Sequence, residues 1–174
     1  MTIDRFLLAV YNLLTKDVRM MNSIPINYND KFQVLVPVNW ARKLGPSGHL
    51  VLSRSPQEAI VVRREKKDAQ DKKNLEEILN QMRCNATKFQ PVNNVRMSSV
   101  EPFCTPGYDG KIMTYAFDIN GNAVEITITA FQTEEFFYFL ILQAPVDCPH
   151  EVLNDYFDVV NSFEIFPETK WNNM

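Results

Sequence analysis

The sequence predicts an α+β domain built around an antiparallel sheet, and three observations carry that reading. Residues 111–131 alternate apolar and polar side chains on either side of Asn120-Gly121, the strongest short-range signal for a two-residue hairpin. The run Phe136-Phe-Tyr-Phe-Leu-Ile-Leu142 is apolar at every position, so that strand needs cover on both faces. Two segments supply such cover: Leu75, Ile78, Leu79 and Met82, and Val152, Leu153, Tyr156, Phe157 and Val160, fall at helical spacing. A chain of 174 residues, 45% hydrophobic and 22% charged, has the size and composition of one domain with its own core.

Along the chain, Ile3, Phe6, Leu7, Val10 and Leu14 form the stripe of an amphipathic helix over residues 1–22. The run is too short to cross a bilayer and lacks the charged start and small-residue cleavage site of a leader. It is expected to dock on the domain or on a partner. Residues 23–31, with Pro25 and Asn27-Tyr-Asn-Asp30, read as a linker. Strands are expected at Phe32–Val36, stopped by Pro37, at His49–Ser53 and at Ala59–Arg63, with a turn at Ser55–Glu58. The charged run 63–73 leads into the helix of Leu75, and Asp68 and Lys72 stand at i, i+4. Residues 92–100 read as a strand, and Pro102, Pro106, Gly107 and Gly110 read as a loop. The meander Lys111–Ile119, Asn122–Phe131 and Phe136–Ala144 follows. Pro149 and Glu151 suit the first turn of the last helix. Asn161-Ser162 ends that helix, Phe163–Phe166 is a short strand, and residues 167–174 are a polar tail.

Charge is unevenly distributed. Residues 1–100 carry 16 Lys+Arg against 9 Asp+Glu, and residues 101–174 carry 2 against 12. Because both halves supply strands to one sheet, the split is expected as different faces or edges of one body. Glu65, Asp68 and Asp71 dilute the basic run, and no aromatic residue interleaves with it, which argues against nucleic acid as a partner. Cys84, Cys104 and Cys148 are widely separated and read as reduced thiols of a cytoplasmic protein. The Gly45–Gly48 loop lacks the Lys-Ser/Thr of a phosphate loop. Neither His49 nor His150 has a metal-ligand set around it, so no metal or cofactor is expected.

Three stretches carry a resemblance: Phe32-Gln-Val-Leu-Val-Pro-Val-Asn-Trp40, Leu140-Ile-Leu-Gln-Ala-Pro145, and Val159-Val-Asn-Ser-Phe163 at the end of a helix. Together they resemble the PsbP-like superfamily over residues 32–166, its bacterial DcrB-like branch above all. Asn39 stands where the family's opening motif has glycine. The resemblance implies an α/β/α sandwich with a central antiparallel sheet, here with an extra N-terminal amphipathic helix. It also implies a non-enzymatic binding protein. The branch in view includes acidic, homodimeric cytosolic chaperones that shield transmembrane segments of type VI secretion effectors.

The expected function is therefore a chaperone or adaptor, possible as a homodimer and without stable membrane insertion, that covers an apolar client segment. Phe137, Phe139 and Ile141 are the candidate client-binding face. The alternative is a regulatory or structural subunit of a membrane-associated or photosynthetic complex, contacting its partner through Arg63, Arg64, Lys66 and Lys67. Catalysis is not expected. The pairs on offer are Cys148 with His150, where a helix start would lower the thiol pKa, and Glu134 with Glu135.

Overall fold

The meander and both helices form where their periodicity places them. The computed structural model describes residues 23–28, 31–45, 49–68, 73–88 and 93–166. The N-terminal helix and the polar tail expected from sequence lie outside them. The strands are β1 (Ser23–Tyr28), β2 (Phe32–Pro37), β3 (Ala41–Leu44), β4 (Leu50–Ser55), β5 (Glu58–Lys66), β6 (Asn93–Met97), β7 (Glu101–Cys104), β8 (Asp109–Ile119), β9 (Asn122–Gln132), β10 (Phe136–Pro145) and β11 (Glu164–Ile165). The helices are α1 (Leu75–Lys88), between β5 and β6, and α2 (His150–Asn161), between β10 and β11.

An eight-stranded antiparallel sheet runs β3-β4-β5-β10-β9-β8-β6, with β7 also paired to β8. Strands from both halves of the sequence meet at its centre, where β10 pairs β5 on one side and β9 on the other. A separate three-stranded sheet, β1-β2-β11, lies apart from it. The sequence reading expected one central sheet fed by both halves; this second sheet is an addition to it.

Because side chains alternate along a strand, the large sheet has two faces. On the inner face, Leu50, Leu52, Ile60, Val62, Tyr138, Leu140 and Leu142 share a core with Phe32, Val34 and Val36 of β2 and Val152, Tyr156, Val159 and Val160 of α2. Phe163, just past α2, sits at the hub of an aromatic cluster. Its ring centroid lies 5.6 Å from Phe32, Phe131 and Tyr138 and 6.0 Å from Tyr108. Two polar positions of β9, Thr127 and Thr129, are buried here too, and each finds a partner. Thr127 Oγ1 lies 3.1 Å from Thr114 Oγ1, and Thr129 Oγ1 lies 2.8 Å from Tyr156 Oη. On the outer face, α1 packs on β8 and β9. Its Leu75 and Leu79 close a second core with Met113, Tyr115, Phe117, Ile126, Ile128, Phe137 and Phe139.

Three strands appear where the sequence suggested none. Ser23–Tyr28, read as linker, pairs with all of β2. Pro25 fits because β1 is an edge strand, where a missing N–H costs little. Ala41–Leu44 pairs with β4 and is exposed throughout, so it has no buried face to leave an apolar alternation. Glu101–Cys104, inside the expected loop, pairs with the first residues of β8. Finally, β5 runs through to Lys66. This carries the strand three residues past its expected end at Arg63, so that Arg64 and Lys66 also stand on it.

Candidate binding face

Register on the outer face sets out the candidate residues. Phe139 pairs across with Arg63 on β5 and Ala130 on β9. Two residues along, Ile141 pairs with Val61 and Ile128. Val61 in turn pairs with Val51, and Val51 with Lys43 on the edge strand. The row Val51–Val61–Ile141–Ile128 therefore crosses from the β3 edge to the strands beneath α1. Phe137 and Phe139, two of the three residues expected on a client face, are 7% and 0% exposed. They belong to the core that α1 closes. Ile141 is half-buried at the margin of that core.

Beyond Ile141 the apolar row continues without a core of its own. Val51 and Val61 are half-buried. Among the described residues, neither hydrophobic core takes them in. Sequence reasoning missed them, although a signal was present. Leu50-Val-Leu52 and Ile60-Val-Val62 are apolar at consecutive positions, as β10 is, and such a run also asks for cover on two faces. At the foot of the same face lies a cavity of about 700 Å³. Gln143, Val124, Ile119, Pro56 and Arg96 are among its lining residues. Gln143 is two residues beyond Ile141 on the same face, so the row opens towards this cavity.

Three of the four cations expected as a contact surface, Arg63, Arg64 and Lys67, are each held over a ring of β10 at the upper end of β5. The Arg63 guanidinium lies 5.1 Å from the Phe139 ring centre, Arg64 lies 4.0 Å from Phe136, and the Lys67 ammonium lies 4.7 Å from Phe137. Such contacts fix a cation in place while leaving its charge intact. Arg63 also reaches Glu65 at 2.9 Å and the Met82 sulfur of α1 at 4.0 Å. Lys66 is exposed. Alternation sends Arg63 and Lys67 to the outer face and Arg64 to the inner one, so the four do not form one patch.

The reactive pairs named from sequence lie at the start of α2 and in the β9–β10 turn. Cys148 is half-buried just before α2 and His150 is exposed at its first position. Burial pushes the Cys148 thiol up from its ordinary value, helped by Glu125, Glu58 and Asp147 and opposed by Arg54. A helix start would have lowered it. Lost solvation and the surrounding carboxylates act in the opposite direction. Glu134 and Glu135 are exposed in the β9–β10 turn, where the Glu135 carbonyl accepts the Lys67 N–H at 2.8 Å. Among the described residues, no group of three or more His, Cys, Asp or Glu could hold a metal ion. Among the same residues, no helix is long and apolar enough to cross a membrane.

Neither a protein-family model nor a curated relative matches the sequence. Solved structures do. The cyanobacterial PsbP (CyanoP) of Synechocystis sp. PCC 6803 superposes with a TM-score of 0.59 at 14% identity, over 83% of this chain and 93% of that one. LpqN of Mycobacterium tuberculosis, described as involved in cell envelope biogenesis, gives a TM-score of 0.58 at 16% identity, over 87% and 96%. A Bacteroides thetaiotaomicron protein gives 0.54 at 11% identity over 79% of this chain, which spans only 46% of its length. The fold is thus PsbP-like and of the α+β class, as the strand endings and the final helix suggested.

Proposed function

We propose that this chain is a non-enzymatic binding protein, a chaperone or adaptor that shields an apolar helical segment of a client protein. The observation that carries the reading is the row Val51–Val61–Ile141, half-buried and continuous with the core under α1. The seat is shifted from Phe137 and Phe139, which α1 covers, towards the β3 edge. Its chemistry suits one side of a helix: an apolar floor, flanked along the strands by Arg63 two residues from Val61 and by Gln143 two residues from Ile141. A transmembrane segment of a secretion effector is a client of this kind, in keeping with the DcrB-like branch that the strand endings resemble. The three free cysteines, Cys84, Cys104 and Cys148, fit work in the reducing cytoplasm.

The test is binding of a fluorescent, Leu/Ala-rich helical peptide to the full chain. Val61→Asp, at a half-buried position, is expected to weaken binding at least tenfold while the far-UV spectrum stays unchanged. Equal binding by the wild-type chain and Val61→Asp would overturn the reading.

A second reading has its own observation, the cations held over the rings of β10. It makes the chain a regulatory or structural subunit that docks an anionic partner through the pair on the outer face, Arg63 and Lys67. A charged contact weakens with salt, so partner capture unchanged between low and high ionic strength would exclude it.

A further inference from the structure

We infer that β3 is a docking edge for an extended segment of a partner protein, one that carries an apolar residue followed by two acidic residues. The inference is independent of the apolar row, because it concerns the rim of the sheet and not its face. It starts from how the described strand edges are guarded. An open edge invites pairing with another extended chain, and proteins blunt such edges with proline, bulges, short length or charge. The small sheet ends in β1, which holds Pro25, and in β11, which is two residues long. On the far side of the large sheet, β7 holds Pro102. There β6 shifts register between Asn93 and Arg96, where Asn94 has a φ of 52°. The strand β3 is four residues long, as β7 is, but has neither device. Ala41-Arg-Lys-Leu44 pairs with β4 in unbroken register and is exposed at every position. Its guard is the charge of Arg42 and Lys43, and that charge has one sign.

A guard of one sign discriminates. Two copies paired edge to edge in the registers that overlap most would set Lys43 against Lys43 or Arg42 against Arg42, and like charges directly opposite are destabilising. An acidic strand meets attraction at the same positions. The hydrogen-bond phase of the edge fixes how it lies. The Gly45 N–H donates to the His49 carbonyl at 2.8 Å, so these two form a hydrogen-bonded pair. Such pairs alternate along an antiparallel ladder. Lys43 with Val51 is therefore the next one, and Arg42 and Leu44, opposite Leu52 and Leu50, are the positions not bonded to β4. The N–H and C=O groups of Arg42 and Leu44 point to the rim, where no described strand lies. An antiparallel guest exchanges both bonds with each of them, in the manner of strand addition to a sheet edge. Read from its own N-terminus, the guest sets one residue opposite Leu44, the next opposite Lys43 and the next opposite Arg42. Leu44 is 70% exposed and suits an apolar neighbour, and the two cations suit Asp or Glu.

The experiment titrates the full chain with a fluorescent, end-capped peptide of sequence Thr-Val-Glu-Glu-Thr and with three copies of it, each methylated at one backbone nitrogen. The Val and second Glu nitrogens face β3 in the register above, and the first Glu nitrogen faces away. Methylation of the Val or of the second Glu is expected to weaken binding about tenfold, as the loss of a hydrogen bond at an otherwise intact edge does. Methylation of the first Glu is expected to leave binding unchanged. Equal affinity for all three methylated peptides would mean attraction without strand pairing and would overturn the inference, as would no saturable binding of the parent peptide. A charge exchange tests the other half. The variant Arg42→Glu, Lys43→Glu is expected to bind the acidic peptide about tenfold more weakly and to take up Thr-Val-Lys-Lys-Thr, which the wild-type chain does not. Wild-type chain that binds the two peptides equally overturns the inference. The methylated peptides leave the protein untouched, so that arm decides even if the double variant fails to fold.

Discussion

Tyr156 shows how single residues hold this sandwich together. Its hydroxyl oxygen lies 2.8 Å from both the Leu140 carbonyl and Thr129 Oγ1, deep between α2 and the sheet. A carbonyl can only accept, so the phenol's single proton is given there and the Thr129 hydroxyl can supply its own. Tyr156→Phe leaves a buried carbonyl and a buried hydroxyl without this partner. It is expected to cost about 1–3 kcal/mol, read as a lower urea midpoint at unchanged slope. Burial pushes both Tyr156 and Tyr115 above the ordinary tyrosine range. Unfolded tyrosines ionise near pH 10, whereas these two stay protonated in the fold. Stability is therefore full below about pH 10 and falls as the pH rises through and beyond it. Denaturant midpoints measured across that range are expected to fall less steeply for Tyr156→Phe. At this scale the sequence showed the alternation that sends Tyr138 and Leu140 to one face and Phe139 to the other. It could not show that Arg63 lies over Phe139, because that contact joins residues 76 positions apart and rests on the register of β5 against β10.

At the scale of elements, the turns and caps carry local information and were readable as such. Asn120 and Gly121 have φ of 51° and 82°, the pair of positive values that a type I′ hairpin turn demands. The start of α1 is a reciprocal cap. The Asn74 N–H donates to Glu77 Oε2 at 2.9 Å, and the Glu77 N–H donates to Asn74 Oδ1 at 3.0 Å. Asn74→Ala is expected to cost about 1 kcal/mol and to loosen α1 first, seen as faster amide exchange in Leu75–Leu79 than in α2. Gly110 marks where β8 and β9 approach too closely for any side chain. A methyl group there would fall on the Ala130 carbonyl, with the Phe131 ring 2.7 Å away. Gly110→Ala is expected to lower the thermal midpoint, at a cost of about 1–3 kcal/mol. The elements that sequence alone could not give are β1, β3 and β7. Each is short, lies on an edge and shows little buried alternation, so its strand character comes from the neighbour it pairs with.

Across the whole molecule, the uneven charge of the sequence becomes a gradient over one body. Arg42, Lys43, Arg54, Arg63, Arg64 and Lys66 stand on β3, β4 and β5, against Glu58 and Glu65. Glu151, Asp155 and Asp158 stand on α2, which carries no Lys or Arg. The basic strands form the end of the sheet that bears Val51 and Val61. A client with acidic residues flanking its apolar segment is therefore expected to bind this end faster at low salt, with the on-rate falling as salt screens the approach. The off-rate, governed by the apolar row, is expected to change little. The candidate face itself was only partly visible beforehand. Ile141 could be named from the doubly apolar β10. Its neighbours Val51 and Val61 became part of the same row only through the register of three strands.

The central claim is that this row, and no other surface, receives the apolar helix. It is tested most directly by titrating the full chain with the Leu/Ala-rich peptide and following the methyl resonances of its valines and isoleucines. The account predicts that Val51, Val61 and Ile141 shift together and saturate at one peptide concentration, while Val95 on the exposed strand β6 stays in place. Shifts centred on Val95, or no saturable shift at all, would contradict it.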